Sequence, residues 1–118
     1  MNLILKLVIS SLAVYATAYL LPEVYVDSFV SAIIVAVVLG LLNTFLKPLL
    51  VILTIPATIF TLGLFLLVIN ALIIMLADHL LDGFTVTNFW WALLFSIVLS
   101  VITSILNSLS GANKKRNN

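Results

Sequence analysis

The sequence predicts an all-α membrane protein with four transmembrane helices, built from two tandem parallel helical-hairpin repeats. Three observations predict this fold. The 118 residues are 64% hydrophobic and 8% charged, whereas soluble domains average about 45–50% apolar and about 25% charged residues. Long apolar runs alternate with short polar segments, and a membrane span needs roughly 20 apolar residues. Finally, a ladder of small residues spaced four apart occurs twice.

The first predicted span covers about residues 3–21, with Lys6 near its start. A secretory signal peptide is the alternative, because Ala16-Thr17-Ala18 has the A-x-A form of a cleavage site after a basic and then an apolar region. The run continues through Leu21 and has a counterpart later in the chain. We therefore expect it to be retained as a membrane helix.

The second predicted span, about residues 29–46, is expected to end at Lys47-Pro48, a charge followed by a helix breaker. The next apolar run is too long for one straight span, and Pro56 divides it. We expect residues 49–55 to lie at or dip into the interface and the third span to cover about 57–77. A single kinked helix from residue 49 is the alternative.

Two acidic loops, residues 22–28 and 78–88, separate the predicted spans of each hairpin. The fourth span, about 89–109, begins at Trp90 and Trp91, because indoles favour the membrane interface. The sequence thus predicts one membrane domain, residues 1–110, followed by a basic tail, 111–118.

Shifting the chain by 60 residues superimposes it on itself. Twelve identities occur in the 40 pairs from 7/67 to 46/106, and loop aligns with loop. The interpretation is repeat 1 at about 1–48 and repeat 2 at about 57–110. Each repeat holds two spans, so both copies have the same orientation and the pseudo-twofold axis runs along the membrane normal.

Charge is divided between the two sides of the predicted topology. The four acidic residues all fall in the two loops between the spans of a hairpin. Basic residues fall on the other side, where contact with lipid headgroups is expected: Lys6, Lys47, Lys114, Lys115 and Arg116. The positive-inside rule then predicts a protein of the cytoplasmic membrane with both termini in the cytoplasm.

Small residues four apart share one helix face and let two helices approach closely, which drives helix association in lipid. Substituting leucine for Gly40 or Ala36 is therefore expected to disrupt packing. The partner of each face, in the same chain or a second subunit, is left open. The helix-packing residues predicted from the two ladders are Ala32, Ala36, Gly40 and Thr44, and Ala92, Ser96, Ser100 and Ser104.

Few polar side chains fall inside the predicted spans. Asn70 and its counterpart Ser10 are predicted to pair near the pseudo-axis, as interhelical contacts or, alternatively, as a pore lining. Asn43 and Lys47 share a face near the basic side, as a cap and topology marker or as a lipid-phosphate contact.

Catalytic chemistry is not predicted. The sequence has no cysteine and one histidine, and it has neither a phosphate loop nor an H-E-x-x-H motif. Asp78, His79 and Asp82 could bind a divalent cation, but a charged loop marking the membrane boundary is the favoured interpretation. We expect no enzyme, no cofactor and no metal, and the net charge of +1 gives no nucleic-acid surface.

The run from Leu41 to Leu50, followed by Leu53-Thr54-Ile55-Pro56, resembles the central signature of a known family. Residues 61–72 and the segment from Gly83 to Ala92 continue the similarity. Together they resemble the small bacterial four-span proteins of the mycobacterial-type phage holin superfamily, which implies the bacterial cytoplasmic (inner) membrane. The resemblance implies four spans, self-association in the membrane and, as a hypothesis, permeabilisation.

The first functional expectation is a holin-like protein that forms homo-oligomers among membrane lipids through its small-residue faces. A non-permeating structural protein, or one that binds an unknown protein partner in envelope maintenance, is the alternative. A transporter of small solutes or lipids is a third, which a cavity at Asn70 would favour.

Overall fold

A computed structural model describes residues 2–110 of the chain as a helical bundle with a short β-ribbon at one end. In chain order the elements are α1 (Leu3–Leu20), β1 (Val24–Val26), α2 (Phe29–Leu41), a π-helical segment (Leu42–Leu46), α3 (Lys47–Leu53), α4 (Ile55–Phe60), α5 (Phe65–Leu80), β2 (Phe84–Val86) and α6 (Phe89–Leu109).

The four long helices form a ring in which α1 packs on α2 and α6, and α5 packs on α6 and less extensively on α2 and α3. Small side chains sit where these helices meet, because a methyl group lets two backbones come close. Seven residues of the helices, five of them alanines, have no exposed surface at all: Ala13, Thr17, Ala32, Ala71, Ala77, Ala92 and Phe95.

The two acidic loops pair with each other as an antiparallel ribbon, so the expectation of an all-α fold was incomplete. Tyr25 lies opposite Thr85 at its centre. Beyond the strands, the Asp27 amide donates to the Gly83 carbonyl at 3.0 Å, and the Thr87 amide donates to the Glu23 carbonyl at 3.1 Å. The ribbon satisfies backbone groups that the helices cannot reach.

The second helix does not end at Lys47-Pro48, as the sequence suggested, but continues without a break from Phe29 to Leu53. The π-helical segment Leu42–Leu46 precedes Pro48, which occupies the first turn of α3. Proline is tolerated there because its missing N–H is not required in a first turn. Residues 49–53 therefore extend the second helix. They form neither a separate segment nor the start of the third helix, the two arrangements that the sequence left open.

The helix that follows begins at Phe65, eight residues later than predicted. Thr54 ends α3, and α4 lasts six residues before a turn in which Leu62 and Gly63 have φ values of 58° and 90°. The Thr61 hydroxyl accepts a hydrogen bond from the Phe65 amide at 3.0 Å. This turn, and not Pro56 alone, separates the halves of the apolar run.

Three helices of the described chain are long and apolar enough to cross a membrane: Leu3–Leu20, Phe29–Leu53 and Phe89–Leu109. The remaining long helix, Phe65–Leu80, has 16 residues. At 1.5 Å per residue it is about 24 Å long, somewhat less than the hydrocarbon thickness of about 30 Å.

Two glycines give a matched test of this backbone. Gly63→Ala is expected to destabilise the protein by about 1–2 kcal/mol, because alanine is strained at positive φ. Gly40→Ala is expected to stabilise it by about 0.5–1 kcal/mol, since Gly40 is helical and no atom lies within 4 Å of an added Cβ. Thermal unfolding in one detergent measures both, and equal shifts of the same sign would contradict the turn geometry.

Candidate functional site: a polar cleft at the basic end

The bundle has two chemically different ends. The ribbon end, here the acidic end, contains Glu23 and Asp27 in the ribbon and Asp78 and Asp82 beside it. At the opposite end, here the basic end, Lys6 lies near the start of α1 and shares a cavity with Thr44 of the π-helical segment, three residues before Lys47. The predicted separation of charge is thus present in the described residues.

A cavity of about 470 Å³ opens at the basic end between α1, α6 and the helix formed by α2 and the π-helical segment. Val14, Ala36 and Leu39 form its inner limit, and each is at most 7% exposed. The polar residues that line it come from all three helices: Lys6, Ser10, Asn43, Thr44, Ser100, Thr103 and Ser104.

These polar side chains differ from the other hydroxyls of the bundle. Ser11, Thr17 and Ser96 are buried, and each donates to a carbonyl of its own helix, at 2.6–2.8 Å. By contrast, no side chain among the seven polar residues lining the cavity makes a hydrogen bond or ion pair within residues 2–110. Their donors and acceptors are therefore free to meet a ligand, water or another chain.

A second cavity of about 450 Å³ is lined by α1, α2 and the π-helical segment. It shares Lys6, Ser10, Ala36, Gly40 and Thr44 with the first, so the two cavities adjoin along these residues. The rest of its wall is apolar: Leu3, Leu7, Val37, Leu41 and Phe45. We call the whole feature the basic-end cleft, with a polar arm and an apolar arm.

The two small-residue ladders are only half used as helix contacts. Ala32 and Ala92 are fully buried, and Ala36 and Ser96 are at most 7% exposed. The next positions down both helices are exposed and line the cleft: Gly40, Thr44, Ser100 and Ser104.

No atom lies within 4 Å of a Cβ added at Gly40, so no neighbour within the described chain fills the space beside this residue. The expectation that Gly40→Leu disrupts packing stays a prediction, for contact with a second subunit. Ala36 remains a packing residue.

The structure separates the other predicted polar pair. Ser10 lines both arms of the cleft, whereas Asn70 is half-buried on α5 and lines neither. Asn43 is in the polar arm, but Lys47, predicted to act with it, is not among the lining residues. The predicted contacts Lys114, Lys115 and Arg116 lie outside the described residues.

Thr103 lines the cleft and was missed by the sequence reasoning. A signal for it existed, because Thr103 lies sixty residues after Asn43 and the polar arm contains such pairs on α2 and α6. Gly40 with Ser100 and Thr44 with Ser104 follow the same spacing. Comparing residues sixty positions apart, and not only residues four apart, would have identified Thr103.

Of the predicted cation-binding candidates Asp78, His79 and Asp82, Asp78 has a structural role in this arrangement. The Asp78 carboxylate accepts a hydrogen bond from the Val86 amide at 3.1 Å, so it holds β2 against the end of α5. Within residues 2–110, no group of three or more His, Cys, Asp or Glu side chains could hold a metal ion.

The apolar helices, with charge confined to the two ends and a cleft that opens at one of them, define a polytopic helical membrane protein. Residues 1–105 match the family described as mycobacterial four-transmembrane-segment phage holin, superfamily IV. The chain belongs to this family.

Two bacterial proteins are similar to this chain over most of its length. The uncharacterized membrane protein YvlD of Bacillus subtilis (strain 168) is 42% identical over 82 residues, which cover 69% of each chain. The uncharacterized protein SCO3922 of Streptomyces coelicolor is 35% identical over 117 residues, covering 91% of this chain and 94% of the relative. No solved structure matches the chain.

Proposed function

We propose that the protein is a holin-like membrane protein that self-associates through the basic-end halves of its two ladders and thereby permeabilises the membrane. In this proposal all four long helices span the bilayer, and the basic end faces the cytoplasm. The family description supports four spans, and the positive-inside rule supports the orientation.

We also propose that the fold consists of two tandem repeats related by a pseudo-twofold axis along the membrane normal. The ribbon supports this, because Tyr25 pairs with Thr85, the residue sixty positions later. The helix caps support it too: the side chains of Ser28 and Asn88 accept the Ser31 and Trp91 amides, each at 3.2 Å. Symmetric halves place the two ladders on equivalent surfaces.

The observation that carries self-association is the change in burial along each ladder. Ala32 and Ala92 are fully buried within the chain, whereas Gly40 and Ser104 are exposed. In a membrane, a helix face of small residues lets the backbone of a neighbouring helix approach closely. The basic-end halves therefore offer a contact surface for a second copy.

A single copy has no continuous polar path across the bundle in the described residues. The polar arm stops at Val14, Ala36 and Leu39, and the fully buried Ala32 and Phe95 lie nearer the acidic end. Permeabilisation therefore requires an assembly in which the hydroxyls of Ser100 and Ser104, together with those around them, come to line a wet surface between copies.

The test compares two adjacent positions on α6. Ser104→Leu places bulk on the proposed contact surface, whereas Ile105→Leu is a matched control at an exposed apolar position outside the cleft. We expect Ser104→Leu to reduce dye release from liposomes by about tenfold and to shift the oligomers seen by native mass spectrometry towards monomer. Absence of release by the unmodified protein at every density would refute permeabilisation.

A second candidate is a non-permeating protein that binds a partner in envelope maintenance. It is favoured by the paired ribbon, which presents an ordered surface at the acidic end, with Tyr25 52% exposed. Cross-linking in native membranes would identify a specific partner at this end. The transporter hypothesis is weaker, because the two cavities of the cleft contain Ser10 and not Asn70.

A further inference from the structure

We infer that the basic-end cleft is a phospholipid site: the polar arm binds the lipid phosphate at Lys6, and the apolar arm holds part of an acyl chain. The site is formed within one chain, and it includes Gly40, Thr44 and Ser104, which the proposed assembly also uses. The inference therefore concerns the single chain, before a second copy covers these residues. Three features of the cleft carry it.

The first feature is an unbalanced positive charge. Lys6 is the one charged side chain that lines either arm, and it has no ion pair within residues 2–110. The four acidic residues lie at or next to the ribbon, at the opposite end. Lys6 is exposed near the end of α1, so its ammonium can reach the level of the lipid headgroups. A phosphate is a suitable counter-charge, because lysine binds phosphate as a point charge.

The second feature is a set of hydrogen-bond donors around that charge. Asn43 supplies an amide, and Thr44 and Ser104 supply hydroxyls, none of them engaged within the described chain. A phosphate diester accepts hydrogen bonds and donates none, so amide and hydroxyl donors are what it requires. Asn43 and Thr44 lie in the π-helical segment, and π-helical turns occur frequently at functional sites.

The third feature is the amphipathic shape of the cleft. The polar arm adjoins the apolar arm at Gly40, and Leu7, Val37 and Phe45 form part of the apolar wall. No atom lies within 4 Å of a Cβ added at Gly40, so the space beside this residue is open. An inorganic ion would need the polar arm alone, whereas a phospholipid uses both.

The volume agrees with such an occupant. Arms of about 470 and 450 Å³ fall in the range of about 300–1,000 Å³ that is usual for small-molecule sites. This is enough for a headgroup and the upper part of one acyl chain, while the remaining chain stays in the bilayer.

The experiment is native mass spectrometry of the full chain, purified in detergent and titrated with phosphatidylglycerol. Lys6→Gln removes the charge in the cleft, and Lys47→Gln removes a charge at the same end that lines neither arm. We expect one bound lipid per chain, about tenfold weaker in Lys6→Gln and unchanged in Lys47→Gln. Equal weakening in both variants would show general attraction to basic residues and overturn the site.

A second variant tests the apolar arm. Gly40→Leu is expected to fill the open space where the two arms adjoin and weaken lipid binding by at least about tenfold, with thermal stability retained because the position is open. Ile105→Leu is the matched control. Lipid binding unchanged in Gly40→Leu would overturn the two-arm arrangement.

Inorganic phosphate separates a lipid site from an anion site. We expect millimolar phosphate to leave the lipid adduct in place, because the apolar arm contributes to lipid binding alone. Displacement of the lipid by phosphate would show a simple anion site and overturn the proposal. Loss of lipid in Lys6→Gln with normal dye release would leave the proposed assembly intact, whereas normal lipid binding without dye release would refute permeabilisation alone.

Discussion

Phe84→Ala is expected to lower the free energy of unfolding by about 3–5 kcal/mol, the range for removing a large aromatic side chain from a packed core. Phe84 is in β2 and has no exposed surface, and its ring lies 5.4 Å from that of Phe95 on α6. This aromatic pair attaches the ribbon to the helices, so its loss should loosen the whole acidic end.

Unfolding in one detergent, followed by circular dichroism, measures the effect of Phe84→Ala. Phe60→Ala is the matched control, since Phe60 is 89% exposed and its truncation leaves no cavity in the chain. We expect that control to stay within about 0.5 kcal/mol of the unmodified protein. A double variant with Phe95→Ala should lose less than the sum of the single losses, because the two rings share one contact. Full additivity would contradict the ring pair.

Ala32→Leu is expected to have the second largest effect. It should lower the free energy of unfolding by about 1–3 kcal/mol or more, because the core is overpacked. Ala32 has no exposed surface in the bundle, so three additional carbons cannot be accommodated without moving a helix. Gly40→Leu, two helical turns further along the same face, is expected to leave the stability of the single chain unchanged.

The comparison of these two variants separates contacts within the chain from contacts between chains. Both should be measured for thermal stability in detergent and for oligomer size in nanodiscs. If Gly40→Leu destabilises the monomer as much as Ala32→Leu does, then the cleft is closed in solution and its assignment is wrong. If it changes oligomer size alone, the basic-end half of the ladder is a contact between copies.

Several features of the fold could be read from the sequence because each rests on a local cause. Runs of apolar residues broken by Pro22 and Gly83 marked the helical regions, and the charges marked the two ends. Ala32 and Ala92 were predicted as packing residues from their spacing, and both are fully buried.

Other features depend on contacts far apart in the chain and were not accessible in this way. Val24–Val26 is too short to be recognised as a strand until Phe84–Val86 lies beside it. Pro48 is ambiguous as well, because it can end a helix or occupy its first turn, and the preceding π-helical segment decides between the two here.

The candidate site, too, depends on contacts between residues far apart in the chain. Spacing placed Gly40, Thr44, Ser100 and Ser104 on helix faces, but only the relative positions of α1, α2 and α6 show that these faces diverge at the basic end. The sequence therefore indicated which positions share a face, whereas the space between the faces was not predicted.

The ribbon also constrains the order in which the chain can fold. Its strands are sixty residues apart in sequence, so β1 has no partner until α5 and β2 have been synthesised. Contacts of such long sequence separation form late, because the entropy of closing the loop opposes them. During biosynthesis the first hairpin therefore has an unpaired strand edge. The ribbon can form only after the second hairpin has been made.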